Sequence, residues 1–223
     1  MGEFSKHKLQ LVIMRVYYLT PSQYGISNLN LSRLKISRIN QLNDPFEFME
    51  FNLQDLRNKK AIENFKEKIN HEYGLTCFSE NWRNPLLWSH YANKHEGIAL
   101  GFDISDEILS KVTYTNERVN IYYDEFQKFI LNGELMIDKL IRTKFYHWHY
   151  EKEQRFFIPL RDAVLDNDNY YFNFNEHIKL KEIILGVRCI YTKDEIQKIT
   201  NQNFQEINIR IAKMAPNTFE MVE

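Results

Sequence analysis

Apolar and polar positions along the chain change period every ten residues or so. Residues 9–19 are apolar and β-branched, with Val12, Ile13 and Val16 followed by Tyr17 and Tyr18, and predict a first core strand. Thr20-Pro21-Ser22 stops it and caps a short helix. Residues 34–37 alternate and predict a second strand. Residues 53–72 place Leu56, Ala61, Ile62, Phe65 and Ile69 among many charges, the spacing of a solvated amphipathic helix ended by Gly74. Short buried strands are expected at 75–79 and 97–103, and a helix at 85–95 opening on Pro85. A short helix at 105–109 and a strand at 111–115 follow. The longest helix-like stretch, 122–145, carries Phe126, Phe129, Ile130, Leu135, Ile137, Leu140 and Ile141, with Gly133 as a possible break. Strands at 170–174, 178–185 and 207–211, and a helix at 192–200 capped by Thr192, complete the pattern.

Residues 148–157 read Trp-His-Tyr-Glu-Lys-Glu-Gln-Arg-Phe-Phe, and their alternation predicts a strand. Trp148, Tyr150, Lys152 and Gln154 would share one face, and His149, Glu151, Glu153 and Arg155 the other. The strand turns apolar at Phe156, so its far end is buried. Ionisable residues at the mouth of a core strand hold a polar ligand or each other, and a surface face bridged by Arg155 fits the pattern equally well.

Many short strands with inserted helices, without regular βαβ alternation, predict an α+β fold. The 223 residues suit one domain at 9–223, with a polar tail at 1–8. With 7 Gly and 5 Pro, disorder is not expected over most of the length. The formal charge of -1 argues against a global electrostatic grip on nucleic acid while leaving room for a local basic groove. Cys77 and Cys189 lie apart in apolar runs and read as reduced, buried thiols. Neither a CxxC nor an HExxH spacing occurs, so no metal is expected. No apolar run has transmembrane length and no signal peptide is visible, which points to the cytoplasm.

Two further stretches carry candidate chemistry. Asn43-Asp44-Pro45 is turn chemistry, with aromatic Phe46 and Phe48 placed to clamp the turn to a core, and suits a binding loop as well as a plain turn. Trp88 and Tyr91 share a helical face with Leu87, and His90 lies beside them.

Tyr17-Tyr18, the run from Asn43 to Glu47, Cys77-Phe78-Ser79-Glu80, Trp88-Ser89-His90-Tyr91-Ala92, Glu96-Gly97 with Gly101-Phe102-Asp103, and Trp148-x-Tyr150-Glu151-x-Glu153-x-Arg155 occur in this order. Together they resemble a bacterial family known as domain of unknown function 2971, from about Val16 to Gly186. The layout is also similar to that of ADP-ribosyltransferases, which hold NAD in the cleft of a split mixed sheet. That resemblance implies Tyr17 or Tyr18 and Ser37 as nicotinamide and ribose contacts, and Glu153 as the late carboxylate with Glu151 beside it. Arg155 would keep the pair ionised or bind the pyrophosphate. Neither an Arg-Ser-Glu nor a His-Tyr-Glu triad is spelled out unambiguously.

The expected site therefore holds Glu153, Glu151 and His90 as catalytic candidates. Tyr17, Tyr18, Ser37, Asn43, Asp44, Phe46, Ser79, Trp88, Tyr91 and Arg155 are the expected NAD contacts. The expected activity is NAD-dependent ADP-ribosyl transfer to single-stranded nucleic acid or protein, in a toxin or defence setting with a possible antitoxin. Arg83, Lys94, Lys144 and Arg155 are the basic residues available to a single strand. Two other readings stand beside it. One is a non-catalytic nucleotide- or partner-binding module. The other is a nuclease in which Asp44, Glu47, Glu151, Glu153 and His90 gather magnesium.

Overall fold

The computed structural model describes residues 12–47, 51–52, 56–120 and 133–223. The tail at 1–8, the start of the first strand, Phe48, and the 122–145 helix as far as residue 132 lie outside the described residues. In chain order the elements are β1 (Ile13–Thr20), α1 (Ser22–Leu31), β2 (Arg33–Ile36), β3 (Phe51–Asn52), α2 (Leu56–Glu72), β4 (Tyr73–Ser79), α3 (Pro85–Tyr91) and β5 (Ile98–Ser105). Next come β6 (Leu109–Lys111), β7 (Thr113–Thr115), β8 (Val119–Asn120), α4 (Gly133–Arg142), β9 (Thr143–Phe145), a 3-10 helix at Tyr146–Glu151 and β10 (Glu153–Pro159). The chain then forms β11 (Val164–Asp166), β12 (Asn169–Asn173), β13 (Ile178–Leu185), α5 (Lys193–Asn203) and β14 (Asn208–Ile211).

The fold is α+β around a mixed sheet of order β14-β13-β5-β1-β4-β10-β6, antiparallel except for β13 beside β14. A three-stranded antiparallel sheet, β11-β12-β2, joins it through paired backbone bonds between Ser37 and Leu75. The side-chain period of two sorts the large sheet into two faces. Val16, Leu100, Phe102, Phe78 and Phe156 enter the main core, which Leu29 of α1 and Ile196 of α5 close. Ala99 and Ile184 face the other way, under Trp82, Trp88 and Ala92, with Tyr17 and Leu19 against them. A third cluster joins Ile69 of α2, Leu75 of β4, and Leu140 and Ile141 of α4.

The two central strands part company. β1 pairs with β5 along its whole length, yet meets β4 at one registered pair, Tyr17 and Ser79. Beyond that pair the sheet opens between Leu19 and Cys77. Registers across five strands also set Glu182, Gly101, Tyr17, Ser79 and Glu153 in one lateral row on the α3 side.

Four sequence expectations change. Residues 148–157 are not one strand: Tyr146–Glu151 coils as a 3-10 helix, Lys152 turns left-handed at φ 45, and the strand begins at Glu153. The 85–95 helix ends at Tyr91, because Asn93, Lys94 and His95 all adopt positive φ. Gly74 does not end α2; it lies inside β4, where a Cβ would come within 2.5 Å of Ile36. Ser37 falls just past β2 and forms the bridge between the sheets. Thr192 caps α5 as expected, in a reciprocal capping box with Glu195.

Gly97 and Gly101 give a test of backbone approach. A Cβ on Gly97 would stand 2.2 Å from the Thr20 carbonyl oxygen, whereas one on Gly101 would meet the Glu182 side chain at 2.4 Å. Gly97→Ala should cost about 1–3 kcal/mol or more, and Gly101→Ala less, because a side chain can move where backbone cannot. Thermal unfolding of the two variants checks this, and a larger loss for Gly101→Ala would refute it.

Candidate active site

Arg155 is fully buried at the centre of an ionic network. Its Nε donates to Glu153 Oε1 at 2.8 Å, its Nη2 donates to both oxygens of Glu47 at 2.8 Å, and its Nη1 donates to the Ile141 carbonyl at 3.0 Å. Lys144 Nζ lies 2.6 Å from Glu151 Oε2, 2.9 Å from Glu153 Oε2 and 3.2 Å from Glu47 Oε1. Tyr91 OH donates to Glu151 Oε1, and Asn43 Nδ2 donates to Tyr91 OH at 3.2 Å.

Local structure makes this convergence possible. α4 ends at Arg142, which lets β9 run beside β7 and set Lys144 opposite Tyr114. Tyr114 OH then accepts from the Glu153 backbone N–H at 2.8 Å. Glu153 and Arg155 are two apart on β10 and share a face. Glu151 belongs to the preceding 3-10 helix, and its carboxylate still reaches the same ammonium. Ser79 Oγ sits 2.5 Å from the Glu151 carbonyl and fixes the end of that helix.

Three carboxylates face two cations here, which leaves one negative charge in excess. The excess falls on Glu151. Burial pushes its carboxyl up to about 7, with Glu153 adding to the rise and Lys144 opposing it. Burial also works against ionised Glu153, but the Arg155 and Lys144 charges outweigh it and hold that carboxyl well below the usual range. Lys144 loses by desolvation and gains more from its three glutamates, so it stays charged. Burial pushes the Tyr91 phenol far up, so Tyr91 remains a donor to Glu151. Cys77 beside the network is an unpaired thiol raised by burial and by Glu153.

The network floors a cleft of about 250 Å³ at the opening between β1 and β4. Of the expected residues, the structure gathers Tyr17, Tyr18, Ser37, Asn43, Ser79, Tyr91, Glu151 and Glu153 on its walls. Tyr17 OH donates to Glu182 Oε1 at 3.0 Å, and Arg15 and Arg210 flank Glu182. Desolvation and Glu182 raise the Tyr17 phenol to about 12, and burial raises Tyr18 to about 12.

Other expectations are corrected. Trp88 does not line the cleft: it is a core residue whose Nε1 donates to the Trp82 carbonyl at 2.6 Å. Phe46 is 57% exposed and points outward, with Arg118 5.4 Å above its ring. Asp44 is buried and uses Oδ1 to accept from Phe46 N–H at 2.9 Å, so it is a turn residue. His90 faces away from the cleft, 5.9 Å from the Trp148 ring, and does not converge with Asn43 and Glu153. Arg155 and Lys144 are both tied to buried glutamates, so neither is free for a phosphate. The same two cations fill the space between the carboxylates that magnesium would need. Among the described residues no group of three or more His, Cys, Asp and Glu side chains is arranged to hold a metal ion.

Residues 87–156 match the family described as protein of unknown function (DUF2971). The match takes in α3 from Leu87 onward, β5, Lys144, Glu151, Glu153 and Arg155, so it spans most of the network. Glu47, Tyr17 and Ser37 lie outside it. No curated protein and no solved structure matches the chain.

Sequence reasoning passed over Tyr114 and Lys35 as site residues, and took Lys144 only as a basic residue for a nucleic-acid strand, not as a partner of the glutamates. Lys144 sits in a stretch that reads as helix, and only the end of α4 turns it inward. Glu182 did leave a signal, as a lone acid between Leu180 and Ile183 in a buried strand.

The network separates the two glutamates experimentally. Glu153→Gln leaves buried cations short of a partner and should cost about 3–5 kcal/mol, so it is a folding lesion. Glu151→Gln removes the excess charge and should be tolerated. Because the folded carboxyl of Glu151 lies above its ordinary value of 4.5, its contribution is fully present below that value and is lost as pH rises through about 7. Glu151→Gln should therefore flatten the decline of stability across that window. Urea midpoints measured against pH for wild type and both variants check this; an unchanged slope in Glu151→Gln would refute the assignment.

Proposed function

We propose that the protein is an NAD-dependent ADP-ribosyltransferase whose reaction centre is the cleft between β1 and β4. One observation carries the reading: the cleft is electrically bipolar. Glu151 contributes the excess carboxylate, while Lys35 of β2 lines the same cleft with no ion-pair partner among the described residues. NAD is bipolar in the same sense, with a cationic nicotinamide end and an anionic pyrophosphate. The opening in the sheet, the ring faces of Tyr17 and Tyr18, and the hydroxyl of Ser37 support the likeness to that enzyme class.

Breaking the ribosyl C1′–nicotinamide bond sends the bonding pair out on nicotinamide and leaves positive charge on the ribose. A fixed carboxylate in a water-poor cleft favours that charge, because the dipoles and charges around it are already in place. Glu151 suits this role and the next one. With its carboxyl near 7 it is ionised above neutrality and can take the proton of an incoming acceptor oxygen or nitrogen. Tyr91 and Lys144 hold its two oxygens, which fixes the direction of the acceptor's approach. Glu153 acts through Lys144 and Arg155 as a positioning residue. Lys35 would hold the pyrophosphate as a point charge.

The test is nicotinamide release from NAD by purified protein in the presence of chelator. Release should rise with pH through about 7. Glu151→Gln should lower kcat by about 10²–10⁴-fold, and Lys35→Ala should raise KM with little change in kcat. No release by wild type, or a fully active Glu151→Gln, would overturn the proposal and favour a binding module.

A further inference from the structure

Four members of the ion network stand next in sequence to a ring that lies outside it. Glu47 enters the network and Phe46 lies outside it. The same holds for Tyr91 and His90, Lys144 and Phe145, and Glu151 and Tyr150. Phe46, His90, Phe145 and Tyr150, with His147 and Trp148, line one open groove of about 410 Å³. Its rings stand at contact spacing: His90 to Trp148 5.9 Å, Trp148 to Tyr150 6.0 Å, and Phe145 to His147 4.9 Å. Phe145 is 45% exposed although a ring of that size is ordinarily buried. An adjoining depression shares Phe46 and Phe145 with the groove and Lys144 with the cleft, and so lies between the two.

Beside the groove Arg118 stands over Phe46 and has no carboxylate partner among the described residues. Of the nearby acids, Asp44 is buried and caps its turn, and Glu117 lies in the adjoining depression. Rings able to stack, beside the Arg118 guanidinium, match the bases and a phosphate of an unpaired strand. They match a duplex poorly, because its bases are already stacked.

We propose that this groove seats a single-stranded nucleic acid and offers it to the cleft as the ADP-ribose acceptor. The acceptor role rests on the transferase reading; the binding role does not. In the transfer, an oxygen or nitrogen of the seated nucleotide bonds to ribose C1′, nicotinamide leaves with the electron pair, and the nucleotide's proton passes to the Glu151 carboxylate. The groove thus supplies what the cleft lacks, a place for the second substrate.

The experiment is fluorescence anisotropy with short labelled single-stranded RNA and DNA oligonucleotides, alongside nicotinamide release on the same samples. Wild type should bind at low salt. Phe145→Ala should weaken binding about five- to hundredfold, and Arg118→Ala should reduce the salt slope by about one. Both variants lie outside the cleft, so NAD cleavage without acceptor should be unchanged. Absence of binding by either oligonucleotide, or binding unaffected by both substitutions, overturns the groove. Acceptance of ADP-ribose by protein but not by oligonucleotide overturns it too. Oligonucleotide binding sensitive to Phe145→Ala without any nicotinamide release supports the groove and defeats the transferase reading alone.

Discussion

The buried guanidinium of Arg155 constrains everything around it. Removing such a charge from water costs several kcal/mol unless its donors are all met. Here they are met by Glu47 from the turn after β2, Glu153 from its own strand and the Ile141 carbonyl from α4. Those partners come from three separate parts of the chain, so the cation acts as a joint between them. The carboxylates it gathers then require a second cation, and Lys144 from β9 supplies it. Glu151 is the one member left over, shared between Lys144 and Tyr91. An otherwise satisfied network with a single surplus charge concentrates its reactivity in one residue.

The position of the network gives that surplus charge access to a ligand. β1 and β4 touch at Tyr17 and Ser79 and then separate, which leaves the floor of the network open to a cleft. A continuous sheet would have sealed it. The Glu182 group performs a related service on the far side, holding the Tyr17 hydroxyl through a buried carboxylate flanked by Arg15 and Arg210. Gly101 between them has no side chain, and that absence makes room for Glu182 to reach across the row. The same ionic framework bears on the outer groove, since Phe46, His90, Phe145 and Tyr150 there sit next in sequence to its members. A ring whose neighbour is locked by buried ion pairs loses little freedom on binding, which favours a preformed surface.

Much of the scaffold was legible from periodicity. Strand 178–185, the amphipathic helix ending at Glu72 and the Thr192 cap appear where hydrophobic spacing and capping chemistry put them. These depend on contacts between near neighbours. The stretch 148–157 misled for an instructive reason. Its alternation is real, but Lys152 adopts a left-handed conformation, and the six residues Tyr146–Glu151 coil instead of extending. Trp88 misled in another way, because a large aromatic on a short helix reads the same whether it lines a cleft or fills a core. Phe46 and His90 were marked as chemically interesting, yet only the direction of each backbone turn sends them outward.

The amino-acid order by itself determined the α+β class, the short-strand pattern, the thiols without a partner nearby and the suspicion that Glu151, Glu153 and Arg155 act together. It did so because secondary structure, and the shared face of Glu153 and Arg155 two apart on a strand, are local properties. Tertiary structure alone decided that Glu153 is held ionised while the Glu151 carboxyl is pushed up, that Lys144 and Glu47 join them, and that Lys35 stands in the same cleft without an ion-pair partner among the described residues. A charge's state depends on burial and on every other charge within a few ångströms, and those neighbours are brought in from up to 108 positions away.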